Sequence, residues 1–404
     1  MMKLSPELDT LEKVFQKHNL YALLVGGGAR AYLATGLIAD DIDLEIRSKT
    51  TSTLDDYLQR LETAFAEAAQ TLKLHLEPLA FSVMRLRSKT FEVECAPARL
   101  DLYDAQMQSF GHKDFSAKML ISPNDEEAFL RRDFTVNALG IELTTGRVAD
   151  PFQGQQDLAQ KILRTKNPDF KKDPLRFLRA FRFATTLNLS IDQELENQLK
   201  KMDLTRLEMD FYFREAFKKR GGERFLQKTF NFLHQEKMQV HQSVRPWFFL
   251  KEISQFSSSI TPQNFWAELA LNHSEQLKPL LTHESLKSIE KNLGIKKKIL
   301  LGYVDFAQCF LSWSVSDLEE LKSMSFEKFQ KHSKLRELEI LLNDCSSFAW
   351  EERIHAYSSK LLLLQKIRAL AEFLKTFKID YQAFPDDLKL RGARKLHTAL
   401  QSFS

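Results

Sequence analysis

A glycine-rich turn followed by a strand with two aspartates constrains the fold of this chain more than any other feature. Residues 25–30 place three successive glycines after an apolar strand, and Asp41 and Asp43 lie on the next strand. Residues i and i+2 of a strand point to the same face, so the two carboxylates project together. Such carboxylates repel each other unless hard divalent cations, typically Mg²⁺, bind them through oxygen. Glycine amides can approach phosphate oxygens closely. The pattern therefore predicts metal-dependent nucleotidyl transfer.

An Asp-x-Asp pair alone is more typical of an exposed surface turn, but three further segments favour the functional interpretation. Residues 131–138 have the sequence RRDFTVNA, residues 150–158 the sequence DPFQGQQDL, and residues 173–184 the sequence DPLRFLRAFRFA. In this order and spacing, over about residues 20–190, they resemble the class II tRNA nucleotidyltransferase and bacterial poly(A) polymerase family, and most of all the CCA-adding enzymes in it.

Length and composition limit the domain organisation. With 404 residues, 43% of them hydrophobic, the chain exceeds what one core needs, so two or more domains are expected. The resemblance implies an α+β fold with an N-terminal nucleotidyltransferase head of the polymerase-beta-like type, built on a small β-sheet. An all-α neck, body and tail follow. We expect the head at residues 1–148, the neck with a nucleotide-template motif at 149–220, and a tRNA-binding body and tail at 221–404.

Charge is distributed unevenly along the chain. Residues 1–150 hold 17 Lys and Arg against 23 Asp and Glu, whereas residues 151–404 hold 41 against 31. An acidic first part suits metals and a nucleotide, and a basic remainder suits a polyanion such as tRNA. We expect tRNA near Lys297 and near Arg391 and Arg394, although ordinary solvated helices would show the same imbalance.

Cysteine usage and apolar patterning indicate the compartment. Cys95, Cys309 and Cys345 are far apart and have neither disulfide nor zinc-ligand spacing, which fits a reducing environment. The N-terminal residues lack the apolar run of a signal peptide, and no apolar stretch of about 18 residues occurs. We therefore expect a soluble, cytoplasmic protein that does not use a membrane.

Local patterns predict the elements of the head. Ser5 followed by Pro6 predicts a helix start, and apolar spacing predicts a long helix over residues 53–72. The remaining predicted elements are strands over residues 21–25, 41–47 and 139–143, a short helix near residues 29–34, and a hairpin of residues 81–86 and 91–96. After Pro174 the pattern is helical almost to the end.

The resemblance implies a two-metal site. Asp41 and Asp43 would hold two Mg²⁺ ions, which activate the 3′-hydroxyl of an RNA primer and stabilise the leaving pyrophosphate. A third carboxylate is expected on a neighbouring strand. Glu92 is the predicted residue and Glu94, on the same strand face, is the alternative, while an ordinary surface glutamate is the non-functional interpretation.

The resemblance also implies a triphosphate site. Gly26 and Gly27 would contact the phosphates through their amides, and Arg30 would donate hydrogen bonds to them. Family members usually have an aspartate after this arginine, where this chain has Ala31. The local geometry is therefore expected to differ from that of the relatives.

The second motif would contact the ribose and phosphates of the incoming nucleotide through Arg132, Asp133 and Asn137. A capped, salt-bridged strand entry is the alternative role for these three residues. Asp150 and Asp157 are expected to be structural, as loop and helix-capping residues.

Asp173 and Arg176 form the predicted base-selecting pair. They stand three residues apart at a helix start and so share one face. A carboxylate only accepts hydrogen bonds and a guanidinium only donates them, so the pair matches C or A and leaves G or U with unpaired groups. The family uses these positions as an amino-acid template. Its members usually have glutamate before the aspartate, and Lys172 replaces it here, which could change how Arg176 is oriented.

Two more arginines and a polar loop complete the candidate site. Arg179 is expected to contact the nucleotide, whereas Arg182 either does so or forms a structural ion pair. The polar segment from Gln106 through His112 to Asp114 occupies the position of the family's flexible loop, which helps to switch the pocket from C to A. His112 is expected to be a hydrogen-bonding loop residue rather than a catalyst.

The expected activity is template-independent addition of C, C and A to the 3′ end of tRNA from CTP and ATP, with release of pyrophosphate. Partial addition of only CC or only A and poly(A) polymerase activity are the alternatives within the enzyme class. The polymerases tend to carry a basic stretch ending in histidine after the aspartate pair, and residues 44–49 lack it, which favours CCA addition. A catalytically silent RNA-binding protein on the same fold is the alternative outside the enzyme class. No obligate protein partner is implied.

Overall fold

The computed structural model describes residues 4–38, 42–50, 53–104, 106–107, 109–112, 114–219, 221–252, 262–281, 290, 296–344, 358–378 and 391–403. The chain divides into two compact units. Residues 1–215 and 228–248 form the first, and residues 216–227 and 249–404 form the second. The predicted three-part division at residues 148 and 220 is a different partition and stays a prediction.

A seven-stranded mixed sheet forms the centre of the first unit. The described strands are β1 Leu20–Val25, β2 Ile42–Ser48, β3 His75–Pro78, β4 Met84–Arg87, β5 Glu92–Pro97, β6 Arg99–Leu102, β7 Ser116–Met119, β8 Gly140–Glu142, β9 Val148–Ala149, β10 Ile162–Leu163 and β11 Ser190–Ile191. The sheet order is β3-β4-β5-β2-β1-β8-β9. The pair of β2 and β5 is parallel, and the other pairs in this sheet are antiparallel. Separately, β6 and β7 form an antiparallel ribbon.

Along the chain, helices alternate with the strands and then follow them. The described α-helices are α1 Pro6–Lys17, α2 Gly26–Thr35, α3 Leu54–Leu72, α4 Asp125–Phe129, α5 Gly154–Gln160, α6 Leu175–Thr186, α7 Gln193–Leu199, α8 Met209–Phe217, α9 Gly222–Gln235, α10 Pro262–Leu277, α11 Lys297–Ser312, α12 Val315–Ser323, α13 Phe326–Phe329, α14 Leu335–Asp344, α15 Ser358–Thr376 and α16 Arg391–Ser402. Short 3₁₀ turns lie at Ala80–Ser82, Thr135–Asn137, Phe170–Lys172, Arg245–Glu252 and Lys278–Leu280.

The core of the head comes from the apolar faces of α1 and α3 packed against the sheet. Ser5 caps α1 by accepting a hydrogen bond from the Leu8 amide, and Thr53 caps α3 in the same way. Leu11 and Phe15 of α1 are buried, with the Phe15 ring edge-on to Phe65 of α3. The predicted helix start at Ser5 and the predicted long helix, which is α3, are therefore confirmed. The predicted hairpin is confirmed by the antiparallel pairing of β4 and β5.

The glycine-rich turn is the first turn of α2. Gly26 has a φ of +62°, a left-handed conformation that a residue with a Cβ adopts only under strain. Val25, at the N-cap position, has no polar side-chain atom, so no capping side chain competes for the first-turn amides. The helix ends at Gly36, which has a φ of +73°.

After Pro174 the chain is mainly helical, as predicted, and the α+β fold prediction is confirmed. One exception is the short parallel pair of β10 and β11 in the region predicted to be an all-α neck.

In the second unit, α11 packs against α10 and α14, and the indole of Trp313 donates to Glu337 at 2.6 Å. No single helix among these described residues is long and apolar enough to cross a membrane; by length and composition alone, the bent pair Lys298–Ser312 and Val315–Ser323 would qualify.

Candidate active site

The register of the parallel strands decides which carboxylates are neighbours. Asp43 on β2 pairs with Glu94 on β5, and residues in register project to the same face. Burial raises the pKa of the Cys95 thiol, and the nearby charges of Asp43 and Glu94 raise it further. Glu92 lies two residues before Glu94 on the same strand face, and its side chain is 54% exposed. The structure therefore favours Glu94, the alternative, over the predicted Glu92 as the direct neighbour of Asp43.

The other half of the predicted aspartate pair is Asp41. Asp41 lies outside the described residues. Within the described ranges no group of three His, Cys, Asp or Glu residues converges as a metal site would. Glu94 also accepts a hydrogen bond from Arg85 at 2.6 Å, so a cation there would compete with this guanidinium. The roles of Asp41 and Asp43 as metal ligands remain predictions.

The glycine turn, Asp43 and Arg132 meet at one point. A Cβ placed on Gly26 would lie 3.6 Å from Nη1 of Arg132 and 3.7 Å from Oδ2 of Asp43. The absence of a side chain at Gly26 thus leaves room between a carboxylate and a guanidinium, beside the N-terminus of α2. This is the arrangement expected where a phosphate chain passes a metal-binding carboxylate.

A buried ion network on β2, which was not predicted from the sequence, lies beside Arg132. Glu45 accepts from Arg47 at 2.7 Å, and Arg47 donates to Asp125 at 2.7 Å. The second carboxylate oxygen of Glu45 lies 3.6 Å from Nη2 of Arg132 and has no hydrogen-bond partner among the described residues. Asp43, Glu45 and Arg47 are spaced two residues apart and so share one strand face. This spacing of charged residues is the sequence pattern from which the network could have been predicted.

Arg30 lies in a strongly basic cluster. It donates through Nη1 to Oδ1 of Asn137, and its guanidinium lies 5.3 Å from the ring centre of Phe183. The pKa of Arg30 is lowered to about 10, mainly by burial and also by three other guanidinium groups, while Asp133 acts in the opposite direction. Those three groups belong to Arg182, Arg179 and Arg132. Positive charges held together in this way favour a bound polyanion.

Asp133 organises this cluster from within. It accepts hydrogen bonds from Nδ2 of Asn137 at 2.7 Å, from the Phe134 amide at 3.0 Å and from Nε of Arg179 at 2.6 Å. Burial alone would raise the pKa of Asp133, but the charge of Arg179 and these hydrogen bonds hold it below the ordinary value. The capping role is therefore present, and it aligns Asn137 and Arg179 at the same time.

Arg182 has the structural role that was one of its two predicted roles. Its Nε donates to Glu215 at 2.6 Å, and both side chains are buried. The guanidinium also lies 4.2 Å from the ring centre of Phe183. Direct contact between Arg182 and a nucleotide is not supported by this placement, since its Nε is committed to the interior ion pair.

The predicted base-selecting residues lie together, with Nε of Arg176 3.9 Å from Oδ2 of Asp173. Arg176 is 5% exposed and donates to the main-chain carbonyls of Asp169 at 2.9 Å and Arg131 at 3.2 Å. These bonds fix the guanidinium and leave further N–H groups for a base. Lys172 pairs with Asp169 at 2.8 Å rather than approaching Arg176.

Two aspartates have the structural roles predicted for them. Asp150 accepts from the Gly154 amide at 2.6 Å and so stabilises the start of α5. Asp157 accepts from the Thr135 hydroxyl at 2.6 Å and from Arg164 at 2.9 Å. A Cβ on Gly154 would lie 2.2 Å from the Thr135 carbonyl oxygen, so only glycine allows α5 to approach the second motif this closely.

Arg30 also lines a groove of about 620 Å³. It is lined mainly by small and apolar residues of α2, α5 and the segment after α6, with Arg30 and Lys161 as its basic groups. Ala31 lines this groove, where relatives usually have an aspartate. The residues that line the groove include Ala31 and do not include Asp43.

The predicted tRNA contacts are only partly described. The side chains of Lys297 and Arg391 lie outside the described set. Arg394 lies over the ring of Phe326, 3.3 Å from its centre. The assignment of tRNA contacts to these residues stays a prediction.

Comparisons with known proteins concern mainly the head of this chain. Residues 22–164 match the family model of the poly A polymerase head domain. A multifunctional CCA protein of Neisseria gonorrhoeae is 34% identical over 179 residues, which are 44% of this chain and 38% of that protein. One of Nitrosococcus oceani is 45% identical over 84 residues, which are 21% of this chain and 20% of that protein. The matched region thus spans well under half of these relatives' length.

Solved structures match the fold over nearly the whole chain. The Bacillus stearothermophilus CCA-adding enzyme in complex with CTP has a TM-score of 0.56 and 16% identity, covering 99% of this chain and 93% of that one. The Thermotoga maritima CCA-adding enzyme complexed with tRNA has a TM-score of 0.54 and 18% identity, covering 99% and 92%. Residues 22–164 are therefore similar to the poly A polymerase head domain, and the chain has the fold of these CCA-adding enzyme structures.

Proposed function

We propose that this protein adds C, C and A to the 3′ end of tRNA from CTP and ATP, without a nucleic-acid template and with release of pyrophosphate. One observation carries the proposal. The side chains of Asp43 and Arg132 both come within 4 Å of the position that a Cβ on Gly26 would occupy, next to the basic cluster around Arg30. A triphosphate needs backbone donors, cationic side chains and a carboxylate for its cation, and this point offers all three.

The chain's own residues would bind and orient the nucleotide. The first-turn amides of Gly26 and Gly27 and the guanidinium of Arg30 would hold the triphosphate, since a polyanion relieves the repulsion that lowers the pKa of Arg30. Asn137 orients Arg30, and Asp133 orients Asn137. This chain of hydrogen bonds fixes the phosphate-binding guanidinium before the substrate arrives.

The carboxylates fit a divalent cation, and we propose Mg²⁺. Asp43 and Glu94 are oxygen donors on one sheet face, which is the chemistry that Mg²⁺ prefers, and Asp41 would complete the set. When bound, the ion lowers the pKa of the primer's 3′-hydroxyl and neutralises charge on the phosphates. Arg132, next to Gly26, would add positive charge at the same place.

Base selection is assigned to Asp173 and Arg176. The Asp173 carboxylate would accept from the exocyclic amine of C or A, and the fixed Arg176 guanidinium would donate to the adjacent ring nitrogen. G and U present a carbonyl and a ring N–H at these positions, so both contacts would fail. Each unpaired buried group costs about 1–3 kcal/mol, and two of them suffice for selection.

The proposed partners are tRNA, CTP and ATP, and the proposed location is the cytoplasm, where these substrates occur. The test is primer extension with Mg²⁺ on tRNA transcripts ending before, within and just short of CCA, with each nucleotide offered singly and together. We expect addition of C, C and A followed by a stop, and its loss in Asp43→Ala. Lys13→Ala, in an exposed ion pair with Asp9 on α1, is the matched control.

Other outcomes would overturn specific parts of the proposal. Addition of only CC or only A would identify a partial enzyme, and long A tracts on any RNA would identify a poly(A) polymerase. Tight tRNA binding without any incorporation would refute catalysis altogether. Equal activity in Asp43→Ala and the wild type would refute the assignment of the site.

A further inference from the structure

A loop of the head is anchored beside the base-selecting carboxylate. Ser109 donates through its hydroxyl to Asp203 at 2.6 Å. Arg206 donates to the carboxylate of Asp114 at 2.6 Å, and the same carboxylate accepts from the Gly111 amide at 2.8 Å. All these groups belong to the first compact unit. The anchors lie on both sides of residue 112 and hold it in place.

His112 uses this position to contact Asp173. Its Nδ1 lies 3.1 Å from Oδ1 of Asp173, and its ring packs edge-on against Phe211 with 6.2 Å between ring centres. The same Oδ1 accepts from the Leu175 amide at 2.9 Å. An ionised carboxylate can only accept, so Nδ1 is the donor in this contact. Both bonds converge on one oxygen and leave Oδ2 toward Arg176, 3.9 Å from its Nε.

We infer that His112 is a positioning residue for base selection, which fixes the Asp173 carboxylate so that Oδ2 alone is presented to the base. The inference rests on the proposed function, because it assigns Asp173 to the nucleobase. With Oδ1 occupied twice, the carboxylate cannot rotate to meet a carbonyl-bearing base with a different oxygen or through a bridging water. His112 therefore sharpens the rejection of U and G and does not contact the nucleotide's reacting atoms.

The test compares three variants at one position. His112→Ala removes the donor, His112→Asn places an amide N–H close to where the imidazole Nδ1 lies, and His112→Gln places one near Nε2 instead. The readouts are the ratio of kcat/KM for CTP over UTP in primer extension and the ratio of the dissociation constant of UTP over that of CTP in equilibrium dialysis. Loss of one hydrogen bond to a charged group should reduce both ratios about tenfold in His112→Ala.

The pattern across variants separates positioning from mere loop structure. We expect His112→Asn to keep most of the discrimination and His112→Gln to resemble His112→Ala. Ser109→Ala is the matched control, because it removes a loop anchor without touching Asp173. Unchanged discrimination in His112→Ala would overturn the inference. A loss of discrimination in both His112→Asn and Ser109→Ala that is as large as in His112→Ala would also overturn it. The docked loop and not the Nδ1 donor would then be responsible.

Dialysis keeps this inference distinguishable from the proposed function. If the wild type extends no tRNA but still prefers CTP over UTP, and His112→Ala loses that preference, the proposed function fails and the positioning role stands. If the wild type extends tRNA correctly and all variants discriminate equally, the proposed function stands and the positioning role fails. A wild type that binds neither nucleotide refutes both.

Discussion

Removing Glu45 should destabilise the strand that carries Asp43. Arg47 is 1% exposed and donates two hydrogen bonds to one oxygen of Glu45, through Nε at 3.0 Å and Nη2 at 2.7 Å. Burial disfavours the charged form of Arg47, but Glu45 and Asp125 more than compensate and raise its pKa. In Glu45→Ala the guanidinium stays buried and keeps Asp125 as its one carboxylate partner among the described residues. The charge is then poorly compensated.

The magnitude follows from the contacts. Hydrogen bonds to a charged group contribute about 1.5–3 kcal/mol each, and two of them are lost. Breaking a buried ion pair by removing one partner costs about 3–5 kcal/mol. We therefore expect Glu45→Ala to lower the unfolding free energy of this strand by about 3–5 kcal/mol. Hydrogen exchange of the amides in β2 measures that free energy locally.

Two matched variants make the result decisive. Lys13→Ala breaks an ion pair in which Lys13 and Asp9 are 72% and 53% exposed, and it should cost less than about 1 kcal/mol. The double variant Glu45→Leu with Arg47→Met removes both charges and should recover most of the loss. If Glu45→Ala costs no more than Lys13→Ala, or if the double variant is worse than Glu45→Ala, the buried-pair reasoning is wrong.

Two further predictions concern the acidic residues of the site. Glu94→Gln should reduce primer extension about a hundredfold by weakening metal binding, whereas Glu92→Gln should change it only a few-fold; equal losses would contradict the argument from strand register. The pKa of Asp133 lies below its ordinary value in the folded protein, so its stabilising ion pair with Arg179 is intact above about pH 4 and is lost as the pH falls through the folded-state pKa. Urea midpoints measured from pH 6 to pH 3 should therefore fall more steeply in the wild type than in Asp133→Asn, and parallel curves would contradict this assignment.

The parts of the site that depend on local pattern could be predicted from the sequence. Apolar alternation located β1 and β2, and the Ser5-Pro6 start located α1. The capping role of Asp150 also follows from a neighbour four residues away, whereas Asp157 accepts from Thr135, 22 residues earlier in the chain, and caps no helix among the described residues. The family resemblance implied that the second motif and the glycine turn contact one nucleotide, and Arg132 does lie beside Gly26.

The parts that depend on long-range register could not be predicted. The choice between Glu92 and Glu94 is set by a parallel pairing between strands about 50 residues apart, and both residues have the same alternation. Arg176 is predicted as half of the base-selecting pair, but its orientation depends on the Arg131 carbonyl, which lies 45 residues away in the chain. The tie between His112 and Asp173 spans 61 residues and involves a loop without periodicity.

The strand order has a consequence for synthesis of the protein. β1 is central in the sheet, but its second neighbour, β8, follows it by more than 100 residues, with Leu23 opposite Glu142. While the chain emerges from the ribosome, one edge of this very apolar strand stays unpaired until residue 142 is available. Because closing such long loops is slow, the head cannot finish folding before the second motif has been made. The glycine turn, the second motif and the last interior strand of the sheet are thus completed together, before Asp173 and Arg176 are made.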